Sequence, residues 1–190
     1  METFQRKIGL PRLILLAVLS TPLVAVADAL ARVEWMVNKR FDIPEVTVAE
    51  AQAELSTHPE DWLVLDVREP DEYAVSHLPG AVRVPPDTDV ETFVKDIGDA
   101  AKDKHLLFYC SVGQRSSKLA ARVQDAVREA GGNGVTNLRG GIFRWHGEHG
   151  ALVNGGGAVD RIHPYNAVWG LLMPRGNPPK SAADHQENPL

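Results

Sequence analysis

The feature that most constrains this chain is the segment around its single cysteine, residues 105–122, with the sequence HLLFYCSVGQRSSKLAAR. Residues 105–109 form a short apolar run with aromatic content, which is typical of a buried strand. From Gln114 or Arg115 to about Ala130, apolar side chains recur at three- and four-residue spacing, which predicts a helix. Cys110 therefore ends a strand, and the loop that follows it leads into the N-terminus of a helix.

This position favours a negatively charged cysteine side chain. Backbone N–H groups in the first turn of a helix lack partners within the helix, and the aligned peptide dipoles add partial positive charge there. We expect the amides of residues 111–116 to converge on an anion at Cys110, with Arg115 supplying a permanent cation and Gly113 allowing the turn. A buried structural cysteine is the alternative. The combination of strand end, glycine-containing loop, arginine and helix start favours a reactive thiolate.

Strands and helices alternate along residues 44–153, which predicts an α/β domain with a parallel sheet and helices on both faces. The expected strands are Val46 as a short edge strand, then residues 62–67, 81–84, 106–109 and 135–138. In sheets of this kind, functional sites lie at the carboxyl ends of strands. Cys110 lies at such an end, which is an independent reason to look for the site there.

Three segments of the chain resemble the rhodanese (sulfurtransferase) family. Residues 110–116, CSVGQRS, resemble the active-site loop of that family, whose pattern is roughly C-x-x-G-x-R-S. Residues 66–73 and 77–81 resemble its N-terminal signature. Residues 137–145 resemble its C-terminal signature, in which a final strand turns at a glycine pair into a helix. The resemblance extends over about residues 44–153, enough for one complete domain.

The resemblance implies a rhodanese-like fold and a cysteine that carries sulfane sulfur as a persulfide. The sulfur would come from a small thiosulfate-like anion and pass to a thiol or cyanide acceptor. Cys110 matches the persulfide-carrying position, and Arg115 matches the arginine that closes the loop. Asp66 and Arg68 are expected to support the loop as a structural pair rather than to act on substrate. No metal or cofactor is expected. The loop residues whose amides would bind the sulfur are Ser111, Val112, Gly113, Gln114, Arg115 and Ser116.

Two other functions remain open at this stage. Related phosphatases of the cell-cycle type have one more residue between cysteine and arginine, because a phosphate needs a wider loop than one extra sulfur atom. The C-x4-R spacing therefore favours sulfur transfer, and the lack of a second cysteine argues against an arsenate reductase. The non-enzymatic alternative is a rhodanese-like sulfur carrier or protein-binding module. A net charge of −5 gives no indication of a nucleic-acid partner.

Residues 1–27 are predicted to be a signal peptide. Three basic residues precede an apolar run at 13–27, which ends in the small-x-small sequence Ala25-Val26-Ala27. The run is shorter than the roughly 20 residues of a spanning helix. We therefore expect export, with the bacterial periplasm as the destination. An uncleaved membrane anchor formed by residues 8–27 and a cytosolic helix are the alternatives.

The other flanking segments are predicted from composition and periodicity. Residues 28–43 are expected to form an amphipathic helical linker. Residues 154–173 form a C-terminal extension that begins with a flexible joint at 154–157 and then packs on the domain, with docking to a partner as the alternative. Residues 174–190 are rich in proline, asparagine and charge, which predicts a disordered tail.

Overall fold

The structure, a computed structural model, describes residues 21–173, with side chains from Ala29 onward. Most of the predicted signal peptide and the whole predicted tail lie outside the described residues. Within residues 21–173, no helix combines the length and hydropathy needed to span a bilayer.

Five parallel strands form the central sheet, in the spatial order β1-β5-β4-β2-β3. Strand β4 is central and is paired along its length with β2, where Leu65 lies opposite Phe108. On its other side β4 pairs with β5, where Phe108 lies opposite Asn137. The strands are β1 Glu45–Val46, β2 Trp62–Asp66, β3 Val82–Arg83, β4 His105–Tyr109 and β5 Gly134–Leu138.

Six helices accompany the sheet in the described part of the chain. A short 3-10 turn, Pro59–Asp61, precedes β2. The helices are α1 Thr21–Arg40, α2 Val48–Thr57, α3 Pro70–Val75, α4 Val90–Ala101, α5 Gln114–Glu129 and α6 Gly141–Gly147.

Strand β4 separates two apolar clusters because successive side chains of a strand point to opposite faces of the sheet. Leu107 and Tyr109 pack in the cluster that includes residues of α2 and α6. Leu106 and Phe108 pack in the cluster that includes residues of α4 and α5. The predicted α/β fold, with a parallel sheet covered on both faces, is therefore confirmed.

Side-chain caps explain where two of the helices begin. Thr47 accepts a hydrogen bond from the amide of Glu50, and the Glu50 carboxylate accepts one from the amide of Thr47, which forms a capping box at the start of α2. Asp89 accepts a hydrogen bond from the amide of Thr92 at 2.8 Å at the start of α4. Helix α1 begins before residue 28, because neither glycine nor proline interrupts residues 23–40.

The prediction of a flexible joint at residues 154–157 is wrong. Those residues form the turn of an antiparallel hairpin made of β6 Leu152–Asn154 and β7 Gly157–Val159. Strand β6 is also tied to the domain, because His77 and Val153 exchange two backbone hydrogen bonds of 2.9 Å. The glycines therefore serve a tight turn between paired strands rather than a mobile linker.

The chain beyond the hairpin returns to the domain. Ile162 is buried in the cluster that contains Leu30 of α1. Trp169, Leu172 and Met173 are partly buried and pack against the same cluster. Trp169 and Leu172 belong to a short 3-10 turn, Trp169–Leu172, that contacts α1.

Candidate active site

Cys110 follows the last residue of β4, and the residue is 1 % exposed. The amide of Gly113 donates a hydrogen bond to Cys110 Sγ at 3.2 Å. Gly113 has φ +97°, and a Cβ at this position would lie 3.0 Å from the side chain of Asn137. The tight turn therefore requires glycine, and it directs one backbone N–H at the sulfur.

Backbone amides at the N-terminus of α6 donate hydrogen bonds to the cysteine loop. The amide of Ile142 donates to the carbonyl of Cys110 at 2.9 Å, and the amide of Phe143 donates to the carbonyl of Ser111 at 3.1 Å. Gly141 makes this approach possible, because it has φ +56° and a Cβ there would overlap the Cys110 carbonyl. Gly141, the second glycine of the pair in the C-terminal signature, is thus needed for the two hydrogen bonds that fix the backbone of Cys110 and Ser111.

Arg115 is held beside the thiol by the carboxylate of Glu72, which the local sequence pattern does not mark as a site residue. Its two terminal nitrogens donate to Glu72 at 2.7 and 2.8 Å, and one of them also donates to Ser111 Oγ at 2.9 Å. The Ser111 hydroxyl in turn donates to Glu72 at 2.9 Å. These contacts fix the guanidinium in one orientation, as expected of a bidentate arginine–carboxylate pair.

The ion pair is electrostatically well matched. Burial alone raises the pKa of Glu72, but the hydrogen bonds and charge of Arg115 outweigh it and leave that pKa below its ordinary value. For Arg115, burial alone lowers the pKa, and the hydrogen bonds that it donates to Glu72, together with a negative charge on Cys110, raise it above its ordinary value. Both groups are therefore charged at neutral pH, and their charges cancel beside the loop.

Asp66 and Arg68 form a fully buried pair next to the cysteine strand. Arg68 donates to both carboxylate oxygens of Asp66 at 2.8 and 2.6 Å and to the carbonyl of Ser76 at 2.6 Å. Tyr109 donates to Asp66 at 2.6 Å and accepts from the amide of Leu78 at 3.1 Å. This network joins the ends of β2 and β4 to the 76–78 segment, which agrees with a structural role.

The remaining loop residues divide into two groups. Ser116 is buried, and its hydroxyl donates to Asn137 Oδ1 at 2.7 Å, so it ties α5 to β5. Val112 and Gln114, together with Cys110, Ser111 and Arg115, line a cavity of about 110 Å³. The loop is thus both anchored to the sheet and open to a small volume above the thiol.

The other side of this cavity comes from the C-terminal extension. Tyr165 and Trp169 line it, and the Tyr165 ring lies over the Arg115 guanidinium, with 4.5 Å between the ring centroid and Cζ. Nothing in the local sequence pattern indicates that these two aromatic residues lie near Cys110. A larger groove of about 550 Å³, which includes Trp62 and Trp145, does not include Cys110.

The site can stabilise a sulfur anion and limit what reaches it. A thiolate or persulfide at Cys110 would receive the Gly113 hydrogen bond and lie near one fixed guanidinium. A single buried nucleophile with these neighbours suits nucleophilic displacement at a small electrophile.

The chain is similar to several known proteins over its central segment. It is 33 % identical over 100 residues to an uncharacterised 16.5 kDa protein of Synechococcus elongatus, covering 51 % of this chain and 66 % of that protein. It is 35 % identical over 89 residues to the thiosulfate:glutathione sulfurtransferase of Saccharomyces cerevisiae, covering 42 % of this chain and 59 % of that enzyme. The chain thus spans less than two thirds of the length of either relative.

The chain is also similar to a solved structure, and a family model matches its central segment. The crystal structure of protein BH2092 from Bacillus halodurans has a TM-score of 0.50 and 23 % identity, covering 75 % of this chain and 95 % of that protein. It supports the fold alone. The model described as the rhodanese-like domain matches residues 47–148, more than half of the chain, and includes the Cys110 loop, Glu72 and the glycine pair. The chain therefore belongs to the rhodanese-like domain family, whose members include sulfurtransferases.

Proposed function

We propose that this chain is a sulfurtransferase that carries sulfane sulfur as a persulfide on Cys110. The proposal rests on the groups that surround the Cys110 thiol. It lies at the base of a small cavity, receives the Gly113 amide, and is close to a guanidinium fixed by Glu72. Similarity to a thiosulfate:glutathione sulfurtransferase supports the same reaction class.

In the first step, the Cys110 thiolate attacks the outer sulfur of a thiosulfate-like donor. The sulfur–sulfur bond of the donor breaks, and its electron pair leaves with sulfite, which needs no proton. The new persulfide anion keeps the negative charge near Arg115 and the Gly113 amide. In the second step, a thiolate or cyanide attacks the outer sulfur, the persulfide bond breaks, and the Cys110 thiolate is restored.

Sulfur transfer fits the site better than phosphate hydrolysis. Four residues separate Cys110 from Arg115. The terminal nitrogens of Arg115 are already engaged by Glu72 and Ser111, so they are not free to hold a phosphate bidentately.

Steady-state kinetics test this proposal. Thiosulfate and cyanide should give thiocyanate with parallel double-reciprocal plots, the signature of a two-step exchange through an enzyme-bound sulfur. Cys110→Ser should show no thiocyanate above background, whereas Ser117→Ala, at a neighbouring buried position, should keep most of the activity. Activity in the Cys110→Ser variant would contradict the proposal.

A sulfur-carrier or protein-binding module is the second candidate. Rhodanese-like sequence also occurs within larger proteins, since the match to the tRNA uridine(34) hydroxylase of Escherichia coli covers 24 % of that protein. A carrier would accept one sulfur per chain from thiosulfate and release it slowly to cyanide. Rapid single loading with turnover at least about a hundredfold slower would favour the carrier.

We further propose that residues 1–27 direct export to the bacterial periplasm and are removed after Ala27, with an anchor over residues 8–27 as the alternative. The buried contacts of α1 include Leu30 and Val37, which follow the proposed cleavage position and would be kept in the mature chain. The mass of the chain recovered from periplasmic and membrane fractions distinguishes the two. A full-length mass in the membrane fraction supports the anchor.

A further inference from the structure

We propose that Tyr165 and Trp169 set an upper size limit on the sulfur donor and acceptor, so that small molecules reach Cys110 and cysteines of folded proteins do not. The inference rests on the proposed function for the identity of the reaction. Both residues lie outside residues 47–148, the segment that matches the family model, so the size limit is a property of this chain's own extension.

Tyr165 and Trp169 line the same cavity as the Cys110 thiol. Cys110 is 1 % exposed, and it lines the cavity above the loop, so this cavity is a route by which a reactant can reach its sulfur. One side of that cavity is formed by residues of the 110–115 segment, and the other side is formed by Tyr165 and Trp169. A volume of about 110 Å³ admits an ion or the end of a slender thiol.

Tyr165 is held in position by its contact with Arg115. Its ring centroid lies 4.5 Å from Arg115 Cζ, and a stacked cation–π contact of this kind is worth about 0.5–2 kcal/mol. The guanidinium itself is fixed by Glu72 and Ser111. The ring is therefore stacked on a rigid group, not on a mobile side chain.

Trp169 is held by the core and by the local turn. It packs with the cluster that contains Leu30 of α1. Asn166 Oδ1 accepts hydrogen bonds from the amides of Val168 and Trp169, both at 3.0 Å, which fixes the turn between the two aromatics. The amide of Tyr165 donates to His163 at 3.0 Å on the other side. The aromatic boundary is thus a built part of the fold.

Selection by charge is weak at this cavity, which leaves size as the main criterion. Arg115, which lines the cavity, is neutralised by Glu72 at 2.7 Å. The opposing surface is aromatic. A bulky reactant therefore meets steric exclusion with no compensating ion pair, whereas a small anion or thiol needs only the Gly113 amide and the partly screened guanidinium.

Thiol labelling tests the size limit without requiring sulfurtransferase activity. Cys110 is the single cysteine of the chain, so every label reports on it. The experiment compares iodoacetamide with fluorescein maleimide on the full chain, the Tyr165→Ala and Tyr165→Phe variants, and a Val168→Ala control. Val168 is 73 % exposed and does not line the cavity.

We expect the maleimide-to-iodoacetamide rate ratio to rise at least about tenfold in Tyr165→Ala, mainly through the maleimide rate. Tyr165→Phe keeps the ring and should match the wild type, as should Val168→Ala. An unchanged ratio in Tyr165→Ala, with an unchanged circular dichroism spectrum, would overturn the size limit. An equal rise in both rates would also overturn it, because general loosening gives no size discrimination.

Sulfur transfer gives the second readout. The glutathione-to-cyanide ratio of kcat/KM should rise in Tyr165→Ala by a similar factor and remain unchanged in Tyr165→Phe. If size-dependent labelling is observed but thiosulfate adds no sulfur to Cys110, the proposed function fails while the steric boundary stands. If sulfur adds and the acceptor ratio is the same in all variants, the size limit on acceptors fails alone.

Discussion

Glu72 and Arg115, 43 residues apart in the chain, form a bidentate ion pair directly beside the cysteine loop. The glutamate is 1 % exposed and the arginine 21 %. Glu72 lies in α3, which follows β2, and Arg115 lies in the first turn of α5, which follows β4. Because β2 and β4 are neighbours in the sheet, both helices begin at the same edge, and the pair locks the loop between them.

Removing one partner of this pair should weaken both fold and loop. Glu72→Gln leaves the Arg115 charge without its partner, which costs about 2–4 kcal/mol of unfolding free energy, somewhat less than a fully buried pair because Arg115 is partly exposed. Urea unfolding measures the loss. Asp125→Asn removes the partner of Arg128 in a pair that is 71 % and 80 % exposed, and should cost less than about 0.5 kcal/mol. Equal losses in the two variants would contradict the assigned role.

Acid should remove the Glu72 contribution selectively. The folded-state pKa of Glu72 lies below its ordinary value, so its stabilising effect is complete above the unfolded carboxyl pKa of about 4.3 and is lost as pH falls through the lower folded value. The difference in unfolding free energy between wild type and Glu72→Gln should therefore shrink between pH 7 and pH 3. A difference that grows toward acid would mean that the folded pKa is raised.

Adding one methyl group behind the loop should damage the site. Gly141→Ala forces φ +56° on alanine and drives a Cβ into the Cys110 carbonyl, so we expect a loss of about 1–3 kcal/mol and at least a tenfold fall in kcat/KM. Gly155→Ala is the matched control, since a Cβ there meets open space. Thermal unfolding measures the loss of stability, and the thiocyanate assay measures the fall in kcat/KM. Wild-type activity in Gly141→Ala would show that loop position is not critical.

The Tyr109 hydroxyl should contribute to stability without taking part in transfer. Tyr109→Phe leaves Asp66 and the Leu78 amide each without one buried hydrogen bond, which costs about 1–3 kcal/mol. Burial first, and then the charge of Asp66, raises the pKa of Tyr109 well above its ordinary value, so the hydroxyl stays protonated and acts as a donor. Activity measured well below the melting temperature should stay within about threefold of wild type. A larger fall would give the tyrosine a role in the loop's chemistry.

Much of the fold and the cysteine loop could be predicted because the information is local. The change from an apolar strand to helical periodicity around one cysteine located β4, the loop and α5 within one or two residues. The capping box at Thr47 and Glu50 is also a local signal. The glycine pair at 140 and 141 is visible in the sequence, but the close approach of Gly141 to the Cys110 carbonyl depends on the tertiary fold.

Residues whose role depends on distant partners were not found. Glu72 lies in a six-residue helix, too short for periodicity to separate a buried carboxylate from an exposed one. Tyr165 and Trp169 reach the cavity only because their segment returns to the domain after the β6–β7 hairpin. The glycines at 155–157 suggested flexibility because composition alone does not reveal that the flanking residues pair as strands.

Intact mass measured after incubation with thiosulfate tests the central claim most directly. Wild type should gain one sulfur atom, about 32 Da, and lose it again when cyanide is added, while Cys110→Ser should gain nothing. A folded wild-type chain that gains no mass, or a gain that persists in Cys110→Ser, would contradict a persulfide carried on Cys110.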